Sequence, residues 1–534
     1  MLKGNVTKPK HRLLLPFLFR PSVLVPMGML LAILVFALSD RSSASPEGKS
    51  AVGKELYEQF CAACHGPEGR GDGPAAVYLL PKPRDFTRGI FKLRSTPTGS
   101  LPTDEDLLSI LTRGMPGSGM PSFSFLSPEK RRVLADYIKE FYVAERNRLF
   151  ETDTIRWMVG TPVRVVKEPP ITAASLAEEK IWYENLECFK CHGTGGKGDG
   201  PSAPGLKDMW GYSAPVRDFT RGDYKGGNSN KDLYLRFTTG MDGSPMPSYA
   251  TGTIGDADRW KLAHYVQSLR TKALATAPLP KEGIVVARRV EPEISPGNPA
   301  APFWGKIAPV GLPLNDLWMK TGVLRTAKLR AAYNDRQLAI LLEWNDPKAD
   351  QSSFKITQFR DGAAIQFALD TTEIFLGMGD SVTPVNIWHW KADWQAKAPL
   401  SRHVVSNYKN SDYDFYFFQA GEFQEATFLT GRAAGNPFSD FSPPSPVEDL
   451  NARGFGTITS QDTAGQNVSG WGIYQEGKWK VVFVRPLQSA DEGDAEFTAG
   501  RPVPFAVAVW DGSGGDRAAQ KAVSNWYRLI LERR

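Results

Sequence analysis

The sequence predicts a multidomain chain in which two mainly α-helical domains of related sequence precede a β-sandwich. Three observations point there. The first half carries one pattern twice in tandem, each copy closing on an amphipathic helix. A stretch rich in Pro, Ala and charge follows at 270–305. Beyond it, helical periodicity gives way to short alternating runs separated by turn signals. The 534 residues have room for three or four domains at ~100–200 residues each.

Composition is that of a soluble globular protein, with 41% hydrophobic and 23% charged residues. A net charge of +6, with the basic residues scattered beyond the N-terminus, gives no case for nucleic acid as a partner. In residues 1–45, Lys3, Lys8, Lys10, Arg12 and Arg20 precede an uncharged, mostly apolar stretch at 21–39. That order marks a signal peptide or an N-terminal membrane anchor. Ser42-Ser43-Ala44 offers a cleavage site, whereas the apolar run approaches the ~20 residues that span a bilayer and favours retention. Both readings export the remainder to the periplasm or the extracytoplasmic face of the membrane.

Every cysteine lies in one of two motifs, Cys61-Ala62-Ala63-Cys64-His65 and Cys188-Phe189-Lys190-Cys191-His192. C-x-x-C-H is the attachment signature of a c-type haem. Two thiols at i and i+3 can add to the two vinyl groups of one porphyrin, and the following imidazole reaches the iron. No thiol is left for a disulfide, a zinc site or an iron–sulfur cluster. The motifs sit inside the repeat: CAACHGPEGRGDGPAA matches CFKCHGTGGKGDGPSA, PRDFTRGIFK (83–92) matches VRDFTRGDYK (216–225), and EDLLSILTRGMPGSGMPSF (105–123) matches KDLYLRFTTGMDGSPMPSY (231–249). Helices are expected at 129–142 and 257–269, and domains at 46–148 and 165–272. Two copies of this length are a domain duplication and not a solenoid array.

Within each copy the second axial ligand decides between electron carriage and ligand chemistry. Met120 and Met246 fall in register in a shared Met-Pro-Ser-aromatic motif, 55 and 54 residues after their histidines. A thioether is soft and raises the potential of the iron. Met115 and Met241, also in register, compete for the role. The preferred motif resembles the ligand loop of class I cytochromes c. The glycines of GRGDGP and GKGDGP let the loop wrap a haem edge; no Gly-Lys-Ser/Thr ending follows that would make them phosphate loops. Arg84, Arg88, Arg217 and Arg221 could pair haem propionates or make surface ion pairs. His264 is expected as a surface or packing residue.

After a linker at 273–305, hairpins are expected at 329–344, turning at Asn334-Asp335, and at 470–487, turning at Glu476-Gly477, with a further strand at 502–512. Together they indicate a β-sandwich over 306–534. The segments EWNDP (343–347), FLGMGDSVTPVNIWHWKADW (375–394), GKWKVVFVRPL (477–487) and AVWDG followed by QKAVSNW (520–526) resemble the haem-b-binding γ subunits of ethylbenzene-dehydrogenase-like molybdoenzymes. This group takes in the type II dimethyl-sulfoxide-reductase relatives that act on nitrate, nitrite, selenate, chlorate, dimethyl sulfide and hydrocarbons. The resemblance covers most of 300–534. It implies one non-covalent haem b held between Met378 and Lys521. A lysine ligates only as the neutral amine, so binding must overcome an ordinary pKa of ~10.4. His389, between two tryptophans, is the rival ligand, followed by His403.

The fused diheme portion departs from the single-domain members and resembles the γ subunits proposed for extracytoplasmic nitrite oxidoreductases. The expected cofactors are therefore two covalent haem c and one non-covalent haem b. The implied partners are iron–sulfur and molybdopterin subunits on one side and a soluble or membrane cytochrome or oxidase on the other. No catalytic residue is assigned to this chain. A stand-alone multihaem enzyme such as a peroxidase, and a diheme carrier with an empty β-sandwich binding module, are the alternatives.

Overall fold

The computed structural model describes residues 46–150, 159–250, 254–270, 277–291, 293–320, 326–353, 355–370, 377–380, 383–395 and 445–533. The expected signal or anchor and His403 lie outside these residues. Among the described residues, no helix is long and apolar enough to cross a membrane. Residues from Ser50 onward form one compact unit.

The first helical module comprises α1 (Pro46–Phe60), α2 (Ala62–His65), α3 (Asp104–Arg113) and α4 (Pro128–Phe150). The second repeats it as α5 (Ala173–Asn185), α6 (Phe189–His192), α7 (Asn230–Thr239) and α8 (Asp256–Ser268). The duplication persists in local chemistry. Both α3 and α7 begin with a capping box, Thr103 with Asp106 and Ser229 with Asp232, each satisfying two otherwise orphaned N–H groups. Tyr57 donates to the Gly66 carbonyl at 2.8 Å, and Tyr183 to that of Gly193 at 2.6 Å. Each module has its own aromatic core, around Phe60, Phe91 and Phe123 in the first and Tyr234, Phe237 and Trp260 in the second.

The C-terminal domain has strands β1 (Ile284–Arg289), β2 (Val310–Pro313), β3 (Asn315–Asp316), β4 (Thr326–Tyr333), β5 (Gln337–Asn345), β6 (Gly362–Ala368) and β7 (Val385–Lys391). After these come β8 (Val447–Ala452), β9 (Thr459–Ser460), β10 (Ser469–Gln475), β11 (Lys478–Pro486), β12 (Val503–Trp510), β13 (Ala522–Val523) and β14 (Tyr527–Leu531). The expected hairpins form. Asn334 Oδ1 accepts from the amides of Arg336 and Gln337, and Glu476 and Gly477 both take positive φ in the two-residue turn between β10 and β11.

The sandwich expectation needs correcting. The strands make one 14-stranded mixed sheet, ordered β10-β11-β5-β4-β1-β14-β12-β6-β7-β8-β9 along its main path. The strand that joins its halves is β1, parallel to both β14 and β4, and it lies within the stretch read as linker. The sheet folds over, so that Trp390 of β7 packs against Trp344 of β5 and Trp479 of β11, with ring centroids 6.2 and 4.8 Å away. This buried face is the main core of the domain.

Candidate functional site

The two C-x-x-C-H motifs form matching one-turn helices. The His65 amide donates to Cys61 O at 2.9 Å, and the His192 amide to Cys188 O at 2.8 Å, so both thiols and the imidazole are set by a single turn of backbone. Gly66 and Gly193 then reverse the chain at φ of 77° and 75°; a Cβ there would stand 2.1 and 1.9 Å from carboxylate oxygens of Asp72 and Asp199. Only glycine suits that position.

Each imidazole is fixed on two sides. His65 Nδ1 lies 2.9 Å from Arg84 O, and His192 Nδ1 lies 3.2 Å from Arg217 O. A carbonyl can only accept, so Nδ1 carries the proton and the Nε2 lone pair is free for a metal. The rings stack on Phe86 and Phe219 at 4.4 and 4.1 Å. Burial lowers both histidines to about 4, which keeps them neutral at physiological pH.

Met120 packs on the cluster that includes Cys61, and Met246 on the one that includes Cys188 and Phe189. Met115 and Met241 are not part of those clusters; their amides donate to Met120 O and Met246 O at 3.1 Å. Met115 and Met120 both face one cavity.

That cavity, of about 610 Å³, runs from Cys61, His65 and Met120 across to Met378, His389 and Lys521. The structure thus brings both C-terminal ligand candidates and their rival to one wall. Trp510 organises this wall: His389 stacks on it at 4.8 Å, and Lys521 Nζ lies 4.9 Å from its ring centroid. Burial lowers Lys521 to about 8 and drives His389 well below its ordinary value, the latter helped by the charges of Lys391, Arg360 and Lys521. A lysine so depressed is closer to the neutral amine that metal binding requires.

Of the repeated R-D-F-T-R arginines, one makes the expected surface ion pair and the side chains of the others are largely buried. Arg88 pairs Asp85 at 3.7 Å on the surface. Arg217 and Arg221 both pair Asp223, although Nη1 of Arg217 is buried without a hydrogen-bond partner. Arg84 faces the cavity with its plane over Trp210 at 4.3 Å, and its Nη1 is likewise buried and unsatisfied. Lys92 and Lys225 line the same cavity. Burial lowers Arg84 to about 10 and Lys92 to about 8, and it drives Lys225 well below its ordinary value. An apolar cavity with two thiols, an imidazole, a thioether and an unsatisfied cationic rim fits haem, an apolar disc bearing two carboxylates. Lys92 and Lys225 were missed in the sequence, though they stand in register at the ends of PRDFTRGIFK and VRDFTRGDYK. His264 is a packing residue and not a surface one: it is buried, with Glu168 and Glu179 at 3.0 and 3.3 Å.

Three segments of the chain match known protein families. Residues 48–138 match the family model for cytochrome c oxidase, cbb3-type, subunit III, and residues 179–270 that for cytochrome c. Residues 301–522 match the model for ethylbenzene dehydrogenase. The chain belongs to the class that these matches define, cytochrome c domains joined to a γ-subunit domain of the ethylbenzene dehydrogenase family. A Haloferax mediterranei protein named as a respiratory nitrate reductase heme subunit is 26% identical over 44% of this chain and 69% of its own length. The chlorate reductase subunit gamma of Ideonella dechloratans is 28% identical over 39% and 66%, so the chain spans about two thirds of these relatives. Among solved structures, a chain of the Kuenenia stuttgartiensis reducing HAO-like protein complex is 43% identical over 41% of this chain and 96% of that one, with a TM-score of 0.38.

Proposed function

We propose that this chain is the electron-transfer subunit of an extracytoplasmic molybdoenzyme complex, holding two covalent c haems and one b haem and no catalytic residue of its own. Haem, when bound, supplies a one-electron Fe(III)/Fe(II) couple at each site. Cys61 and Cys64, and Cys188 and Cys191, would carry the covalent links. His65 with Met120, and His192 with Met246, would close both c-type irons, and Met378 with Lys521 would hold the third. Closed axial positions favour electron carriage over the peroxidase alternative.

The observation that carries the reading is the shared cavity: the first C-x-x-C-H site and the Met378/Lys521 site open into each other. Their backbones are also tied. Leu317 donates to Lys521 O at 2.9 Å, Leu80 donates to Leu317 O at 3.0 Å, and Met319 donates to Leu80 O at 2.8 Å. The relay order is therefore the Met378/Lys521 pocket, then the first c-type pocket, then the second. Iron–sulfur and molybdopterin subunits would meet the C-terminal domain, and a cytochrome, membrane complex or oxidase would meet the second module. Nitrite oxidation or a related respiration is the process this arrangement suits.

A pyridine haemochrome spectrum of the purified chain should show two c haems and one b haem. Met378→Ala and Lys521→Ala should each lose the b-type absorbance and keep the c signal. A chain with no b haem reduces the C-terminal domain to a binding module, and variants that retain it overturn the ligand assignment.

A further inference from the structure

Asp346 and Asp511, from the E-W-N-D-P and A-V-W-D-G motifs, do not line the cavity. They converge instead with Asp361: one carboxylate oxygen from each lies within 4.8 Å of the other two. Asp346 immediately follows β5, Asp361 precedes β6 and Asp511 follows β12. Three strand ends separated in sequence thus bring three carboxylates to one corner of the sheet.

Two of the three carboxylates are buried and Asp511 is half-buried. Asp346 is 2% exposed and Asp361 is fully buried. Asp361 accepts from the amides of Asp350 and Gly512 and from Trp479 Nε1 at 2.6–3.0 Å, which leaves part of its roughly four-site acceptor capacity for a cation. Asp346 accepts less: its Oδ1 takes the Lys348 amide at 3.1 Å, whereas its Oδ2 is buried with no hydrogen-bond partner. The Oδ2 of Asp350 at the edge of the group is in the same condition. Lys348 pairs Asp350 at 2.5 Å from a position 67% exposed to solvent. Burial, and then Asp361 beside it, pushes Asp346 up to about 7, and a cation bound at its unpartnered Oδ2 would offset that desolvation cost. The donors are all oxygen, and hard oxygen donors in an irregular arrangement suit calcium, which takes 6–8 ligands in flexible geometry.

We propose that Asp346, Asp361 and Asp511, with Asp350 at the rim, bind a hard divalent cation, calcium, that ties together the ends of β5, β6 and β12. The site is independent of the haem reading. It steadies the turn at 511–516, just upstream of Lys521.

The test uses the full haem-loaded chain, stripped with EDTA, desalted and then titrated with calcium chloride. Elemental analysis should recover roughly one calcium per chain, and the thermal midpoint should rise on adding calcium. Asp346→Asn and Asp511→Asn should lose that calcium and the calcium-dependent shift while keeping the haem spectrum. Should either variant fold poorly, calorimetric titration of the stripped wild-type chain decides alone. No calcium uptake and an unchanged midpoint at millimolar calcium overturn the proposal. So does an Asp346→Asn chain that binds as much calcium as wild type.

Discussion

Arg84 and Lys225 come from different modules yet face one cavity, beside the first C-x-x-C-H pocket. A buried cation there disfavours the more positive, oxidised state of a nearby iron and so raises its potential. Arg84 keeps its charge where burial disfavours that of Lys225, so Arg84→Gln is expected to lower the midpoint of the first c haem and leave the second nearly unmoved. An effect of about 1.4 kcal/mol corresponds to about 59 mV for one electron; redox titration with the two c signals resolved measures it. Asp449 offers a separate test by pH. It is fully buried, with Asp494 nearby, and burial followed by that carboxylate pushes it up to about 8. A folded-state pKa raised above the unfolded value means stability is greatest below about pH 4 and declines through about pH 8. Arg485 moderates the decline without reversing it. Asp449→Asn keeps an Oδ1 acceptor for the Asn386 Nδ2 donor and removes the charge. Urea unfolding from pH 4 to 9 should show the variant lacking a slope that in wild type reaches at most about 1.4 kcal/mol per pH unit.

At the scale of elements, the folded-over sheet depends on close approach at Gly472 of β10. A Cβ there would stand 2.5 Å from Trp390 Cζ2 and 3.2 Å from Trp479 Cζ3, and both rings are fully buried. Gly472→Ala is therefore expected to cost roughly 1–3 kcal/mol in a denaturant titration. Gly305→Ala, where a Cβ meets nothing within 4 Å, should be close to neutral. The same contrast explains what could be read from sequence. Capping boxes, two-residue turns and the repeat are local patterns, and the hairpins at Asn334 and Gly477 followed from them. The strand β1 did not. Its six residues alternate in burial, but the sequence IVVARR does not alternate in polarity, and its partners, such as Arg528 opposite Ile284, are remote in sequence. Without β1 the strands read as a sandwich; with it they are one sheet. For the site, the cysteines and histidines were legible as a contiguous motif. The orphaned guanidinium of Arg84, the lysine pair and the Asp346–Asp361–Asp511 corner were not, because each arises only where distant segments meet.

For the molecule as a whole, the order of the proposed relay is what folding adds to the proposed set of cofactors. Both c-type modules have the same internal chemistry, so sequence alone makes either one an equal neighbour for the C-terminal pocket. The fold distinguishes them: Cys61, His65 and Met120 share a cavity with Met378 and Lys521, whereas the second module adds Lys225 to that cavity and Cys188, Cys191 and His192 do not line it. A chain carrying Cys61→Ser and Cys64→Ser should therefore keep b-type absorbance and the second c signal but lose the link between them. Fully reduced protein mixed with an oxidised soluble cytochrome in a stopped-flow cell should show the remaining c signal bleaching at the wild-type rate, with the b signal delayed at least roughly tenfold. Cys188→Ser with Cys191→Ser should give the complementary result, in which the b and first c signals still exchange electrons while delivery to the soluble acceptor slows. Circular dichroism and haem content establish that each variant is folded before the kinetics are compared. Prompt oxidation of the b signal in the chain lacking the first c haem would mean that electrons leave the C-terminal domain by another face, and the shared cavity would then have no part in the relay.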